Sequence, residues 1–193
     1  SDGAVVVTGG EMLEFDAQAG TGTVHVGTGT NLSGSGEVVF NGTHTVELLS
    51  NFHLFSTLFG FNLDGGAVTF QGSGDFVNEG NLVLSGTDDI FNVVMVNNGR
   101  LALEAGGAVV ATTGNFNSGL INHDVLVLDD TAGDNNVTLN VGGSGLYNQG
   151  TIWFDNTGGG SSSTRLIAAD VTNDGVIDVD SPASIDNVGR IFD

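Results

Sequence analysis

Apolar and polar residues alternate along this chain in short runs, and glycine, asparagine, serine or threonine ends each run. Residues 4–7, 12–15, 24–26 and 37–40 are each long enough for one strand and too short for a stable helix. A longer phrase then recurs: apolar, Asn, any residue, Gly, any residue, apolar, any residue, apolar. It reads Val96-Asn97-Asn98-Gly99-Arg100-Leu101-Ala102-Leu103, and returns at Val77-Asn78-Glu79-Gly80, at Tyr147-Asn148-Gln149-Gly150 and at Thr172-Asn173-Asp174-Gly175. Ile121-Asn122-His123-Asp124 keeps the pattern with Asp in the place of Gly.

The phrase has a physical reading. Its last half is a strand whose alternate side chains face a core. Gly is expected at the bend, where it adopts positive φ at low cost. The asparagines Asn78, Asn97, Asn122, Asn148 and Asn173 each carry a donor and an acceptor, so they can hydrogen-bond to one another if the phrases stack. From Gly66 the Gly (or Asp124) positions are 66, 80, 99, 124, 150, 175 and 189, in steps of 14, 19, 25, 26, 25 and 14 residues. Gly22 and Gly36 add another step of 14. Intervals of twenty-odd residues with two or three strands each are the mark of a solenoid, its rungs ~4.8 Å apart.

The expected fold is therefore all-β, a single-stranded parallel β-helix with irregular rungs of about 14–26 residues. Right-handedness follows from the preferred hand of parallel crossovers. The whole of 1–193 reads as one module. A left-handed hexapeptide helix lacks its six-residue period, and a β-sandwich gives no reason for one phrase to return at one coil position. The long loops 129–136 and 156–164 are expected to leave the coil at corners. The last unit, from Ile185, stops inside the phrase, so the chain is expected to continue or to stack on a neighbour. The Phe-rich segment 43–63 stands apart. Leu48, Phe52, Phe55 and Phe59 fit a helical stripe, while Val46/Leu48, Phe52/Leu54 and Phe59/Phe61/Leu63 alternate as strands. It reads either as strands or as a lateral or capping helix.

The phrases Leu32-Ser33-Gly34-Ser35-Gly36-Glu37, Val77-Asn78-Glu79-Gly80 and Val96-Asn97-Asn98-Gly99 resemble the repeats of large bacterial surface and secreted β-solenoid proteins. These include filamentous-haemagglutinin-like adhesins and autotransporter passenger domains. The resemblance covers residues 32–193. It implies export, display at a cell surface or in an extracellular matrix, and an adhesive or scaffolding role in a rod or filament.

Charge narrows the partners. The net charge is −20, and the three basic residues are all arginine: Arg100, Arg165 and Arg190. Such a field repels nucleic acid and anionic lipid, so neither is an expected partner. Acidity of this order often accompanies disorder, but 39% hydrophobic content in regular alternation argues for a packed core. Cysteine is absent, which removes disulfides and thiolate chemistry. The longest apolar stretch, 52–63, is too polar to span a bilayer, so no membrane insertion is expected. No basic leader precedes Ser1, and a processed or excised chain is expected. The expected partners are other copies of the chain, end to end or side by side, and a glycan or cell surface.

Candidate chemistry is thin. Asp170, Asp174 and Asp178, in Asp170-Val171-Thr172-Asn173-Asp174-Gly175-Val176-Ile177-Asp178, resemble an acidic calcium loop. Position twelve is Ser181, where a bidentate carboxylate is expected, and the segment is also a copy of the repeat. Asp88-Asp89 and Asp129-Asp130 with Asp134 are further oxygen clusters, read as solvated turns or as calcium ligands. Calcium is thus the one cofactor in view. No catalytic residues are assigned. A carbohydrate-active β-helix enzyme is the alternative function, with a phage or viral fibre as a third. An enzyme acting on acidic glycans would need basic residues that are scarce here. His25, His44, His53 and His123 form no metal-spaced pair and are expected to face outward. Asn31, Asn41 and Asn136 stand in Asn-x-Ser/Thr triplets that permit glycosylation. Trp153, between Ile152 and Phe154, is expected to face outward, where it could stack on a sugar ring.

Overall fold

The structure, a computed structural model, describes residues 4–55, 60–63, 67–85, 89–105, 111–160 and 163–186. Twenty-two strands follow one another, and no helix occurs among the described residues. The first coils hold β1 (Ala4–Val7), the long β2 (Met12–Val26), β3 (Asn31–Gly34), the long β4 (Glu37–Leu48), β5 (Phe52–Phe55) and β6 (Gly60–Leu63). Next come β7 (Val68–Gly72), β8 (Phe76–Asn78) and β9 (Asn81–Leu84), then β10 (Asp89–Phe91), β11 (Met95–Asn97) and β12 (Arg100–Ala105). They are followed by β13 (Ala111–Phe116), β14 (Leu120–Asn122), β15 (Val125–Asp130), β16 (Asn136–Val141), β17 (Leu146–Asn148) and β18 (Thr151–Asp155). The last are β19 (Arg165–Ala168), β20 (Val171–Asn173), β21 (Val176–Val179) and β22 (Ala183–Asp186).

Every strand pairing is parallel, and the chain winds as a β-solenoid with three faces. The first face is the eight-stranded sheet β1-β3-β5-β8-β11-β14-β17-β20. The second face carries β6, β9, β12, β15, β18 and β21, and the third carries β7, β10, β13, β16, β19 and β22. The long strands β2 and β4 run through the bend between these two faces, which joins them into one fourteen-stranded sheet.

Register sets the coil length. On the first face Ala4 pairs Asn31, Asn31 pairs His53, and Phe52 pairs Phe76, giving coils of 27, 22 and 24 residues. Phe76, Met95, Leu120, Leu146 and Val171 then follow at 19, 25, 26 and 25. The early step of 14 is not a coil. Gly22 lies inside β2 opposite His44, while Gly36 sits at the corner before β4, so the two are not equivalent. Gly66 and Gly189 lie outside the described residues.

The core is a set of vertical columns. Leu82, Leu101, Leu126 and Ile152 stack on the second face, fully buried, as do Leu84, Leu103 and Leu128. Phe70, Phe91 and Phe116 stack on the third with nearly parallel rings, 4.8 and 4.7 Å apart. Each such side chain contributes about 1.5–3 kcal/mol on burial, and each buries its neighbours' flanks as well as its own. The segment 43–63, where described, belongs to this core. Val46, Leu48, Phe52 and Leu54 are buried in strands of the stack rather than in a lateral or capping element. Alternation wins over the helical stripe because neighbouring rungs already offer paired edges on both sides. Residues 56–59 lie outside the described residues.

Candidate functional site

The repeat phrase builds the corner between the first and second faces. Asn78, Asn97, Asn122 and Asn148 are fully buried there, and Asn173 is half-buried above them. Each Nδ2 donates to the Oδ1 of the next asparagine: Asn78 to Asn97 at 2.7 Å, Asn97 to Asn122 at 2.7 Å, Asn122 to Asn148 at 2.6 Å and Asn148 to Asn173 at 2.6 Å. The same nitrogens also donate to the carbonyl that opens the strand one rung on, those of Arg100, Val125, Thr151 and Val176, at 3.0, 3.0, 3.3 and 3.4 Å. A buried amide left unpaired costs about 1–3 kcal/mol, so the column holds its rungs in one register.

The glycines of this corner serve a different purpose from the one expected. None of Gly80, Gly99, Gly150 and Gly175 has a positive φ. What they provide is close approach between rungs. A Cβ on Gly99 would lie 2.2 Å from the carbonyl oxygen of Gly80, one on Gly150 would lie 1.9 Å from that of Asp124, and one on Gly175 would lie 2.1 Å from that of Gly150. Asp124 does carry a Cβ, and its rung sits slightly off. The bond from Val125 N to Gly99 O is 3.2 Å, against 2.8, 2.7 and 2.8 Å at the equivalent bonds to Gly80, Asp124 and Gly150.

A second polar cluster lies where the loops 131–135 and 156–164 leave the bend between the second and third faces. Asp129 and Asp130 are buried, neither solvated nor spread around an ion site. Asp129 accepts from the amide and the hydroxyl of Thr157, at 2.9 and 2.8 Å. Asp130 accepts from the amides of Ala132, Gly133 and Asn135 at 3.0, 2.9 and 2.8 Å, and from the Asn135 side chain at 3.3 Å. Burial pushes its carboxyl up, but the donors of Asn135, Gly133 and Ala132 together hold it below the ordinary carboxylate value. Arg165, fully buried, opens β19 and faces it. Its Nη2 is 4.0 Å from Asp130 Oδ2, its Nε donates to the Asp155 carbonyl at 2.8 Å, and its Nη1 donates to Ser163 Oγ. The cluster ties two loops and three strands together. The signal for it was present in the alternation, since Arg165 precedes the inward Ile167 by two residues.

The calcium candidates do not come together. Asp170 precedes β20, Asp174 turns the corner and Asp178 lies within β21, all exposed. Extended backbone separates residues four apart by about 13 Å, where a calcium loop would wrap them around one point. Asp174 instead accepts from the Tyr147 hydroxyl at 2.7 Å, and that hydroxyl accepts from Gln149 Nε2 at 2.7 Å. The hydrogen bond to Asp174 raises the phenol's pKa, with burial and the carboxylate's charge acting the same way. Among the described residues no group of three or more His, Asp or Glu side chains is placed to hold a metal. Asp88 lies outside them, and Asp89 is buried, accepting from the Val68 amide at 3.3 Å.

The histidines divide. His25 meets Glu47 at 2.7 Å and His53 meets Glu79 at 3.2 Å on the outer surface, where His123 is also exposed. His44 faces inward, against the expectation, edge-on to Phe40 at 5.3 Å. It fits because the residue beneath is Gly22, whose Cβ would stand 2.6 Å from His44 Nδ1. Trp153 is outward and 39% exposed, its Nε1 donating to Asp180 Oδ2 at 3.1 Å. At the other end of the core a cavity of about 320 Å³ opens among Val5, Leu13, Phe15, Val24, Leu32 and Phe40.

Known proteins place this architecture. No curated protein and no solved structure matches the chain. A family model does, that of the hyphally regulated cell wall protein N-terminal domain, over residues 91–191. It is not an enzyme family, and it supports the surface location but not the bacterial attribution of the sequence resemblance. With more than half of its length matched, from β10 through the corner asparagines to β22, the chain belongs to the hyphally regulated cell wall protein family, and its place is the cell wall or cell surface.

Proposed function

We propose that the chain is a stiff, acidic scaffolding and adhesive module of the cell wall, working as a rod that meets other copies of itself and wall polysaccharide. The observation that carries this reading is the column of Asn78, Asn97, Asn122, Asn148 and Asn173, which locks successive rungs in one register along the axis. Eight rungs on the first face give a rod about 35 Å long at ~4.8 Å per rung. The net charge of −20 keeps such rods dispersed unless divalent cations bridge them. Trp153, held by Asp180 with its ring partly exposed, favours contact with a neutral sugar ring over a phosphate or an acidic glycan.

Electron microscopy of the wall material, with sedimentation of the purified chain with and without calcium, tests the assembly. Rods joined end to end or side by side are the expected result; a chain that stays monomeric in both conditions and lies dispersed in the wall would sink it. Adhesion has its own readout, because Trp153 is the chain's one tryptophan. Neutral glucose oligosaccharides should shift its fluorescence, and an unchanged spectrum up to saturating sugar removes the sugar contact.

A further inference from the structure

The chain's asparagines fall into two classes. The five at the repeat corner are followed two residues later by Gly or Asp, as in Asn97-Asn98-Gly99 and Asn122-His123-Asp124, and so lack the acceptor triplet. A sugar on any of them would have to displace a neighbour in the buried column. The triplets occur elsewhere, at strand starts. Asn136-Val137-Thr138 opens β16, with Asn136 exposed, Val137 fully buried and Thr138 on the outward side. Asn31-Leu32-Ser33 opens β3 in the same way, with Leu32 buried between an outward Asn31 and Ser33. The two-residue period of a strand puts asparagine and hydroxyl on the solvent face and the middle residue in the core.

We infer that Asn136 and Asn31 carry N-linked glycans. Asn136 is suited to it in detail. Its Oδ1 accepts from the Thr164 amide at 2.9 Å, a bond that survives glycosylation, while among the described residues nothing accepts from its Nδ2. In the transfer, Nδ2 forms a bond to the anomeric carbon of an oligosaccharide donated from a lipid diphosphate. The sugar–phosphate bond breaks, the lipid diphosphate leaves, and the Nδ2 proton passes to the transferase. The sugar on Asn136 then covers the loops above Asp129 and Asp130, and the sugar on Asn31 covers the first face. The inference rests on export to the wall, as the family match has it.

The test is the chain secreted by a eukaryotic host, analysed by intact mass and by glycopeptide mapping after peptide-N-glycosidase in heavy-oxygen water. Asn136 and Asn31 should appear as labelled aspartate, and Asn136→Gln and Asn31→Gln should each remove one glycan mass. Asn122, Asn97 and Asn148 should stay unlabelled. Secreted protein with no glycan at either position overturns the inference while leaving export intact. Failure to enter the secretory route even behind a functional leader would instead count against the wall location. If Asn136→Gln fails to fold, Thr138→Val, which removes the triplet and keeps the asparagine, gives the same readout.

Discussion

The coils before Phe76 and those after it solve the same stacking problem with different materials. At one corner position the column runs Val5, Leu32 and Leu54, then changes to Asn78, Asn97, Asn122, Asn148 and Asn173. The apolar half is loosely filled. Val5, Leu13, Phe15 and Val24 are only partly buried and line a cavity of about 320 Å³. Its strands β2 and β4 also run through the bend that later coils break with loops. In the second half Leu101, Leu126 and Ile152 are fully buried, and two polar devices join the rungs: the asparagine column, and Asp130 with Arg165. Apolar columns reward burial without specifying how one rung sits on the next, whereas hydrogen-bonded columns lose their partners after a one-residue slip. The polar half is where position is specified.

The largest test of that contrast is Asp130→Ala. It leaves the fully buried Arg165 with only the Asp155 carbonyl and Ser163, and should cost about 3–5 kcal/mol in urea unfolding. The pH dependence has a definite sign. A carboxyl held below its ordinary value stabilises the fold above about pH 4, and that contribution is lost as the pH falls through the depressed value. Wild type should therefore lose stability faster than the variant on acidification below pH 4; equal slopes would mean that Asp130 is not the acid-sensitive group.

Asn122→Leu comes next. It orphans the Asn97 amide and the Asn148 oxygen, and should cost about 2–4 kcal/mol. The converse change sharpens the comparison. Leu54→Asn, which can reach Asn78 from the rung below, should cost less than Leu82→Asn, which enters a column with no polar partner. Equal losses would show that the asparagine column adds nothing beyond local packing.

Gly150→Ala forces a Cβ against the Asp124 carbonyl and should lower stability by about 1–3 kcal/mol, read as a drop in Tm. Filling space should separate the halves further. Val46→Leu points into the cavity and should be neutral or stabilising by about 1 kcal/mol, while Leu139→Phe in the tight half should destabilise. The smallest effect is spectroscopic. Tyr147 is the sole tyrosine, and its ultraviolet titration should move to lower pH in Asp174→Asn, because the hydrogen bond that raises its pKa is weakened.

Much of this fold was legible because a solenoid repeats its requirements. Asn78, Asn97, Asn122, Asn148 and Asn173 stand out in the sequence at the same steps of 19, 25, 26 and 25 residues that the stack uses. The early coils were harder to read. Their corner residue is apolar, so nothing distinguishes Leu32 or Leu54 from any other strand residue, and Gly22 was easily mistaken for a corner when it is the space beneath His44. Asp129 and Asp130 looked like a solvated turn because the residues that bury them, Thr157, Ser163 and Arg165, come a coil later. Asp170, Asp174 and Asp178 had calcium-loop spacing in a segment that runs extended.

What the sequence determined by itself is the winding. Alternation selects strands, and a phrase returning every twenty-odd residues selects parallel stacking, because only then do like residues meet. What the tertiary structure decided is the purpose of particular side chains. Gly99 and Gly150 are required by the carbonyl of the rung beneath rather than by their own torsions. Arg165 is internal because two loops close over it. Such contacts join residues that are a whole coil apart along the chain, a distance over which local pattern carries no information about which groups will touch.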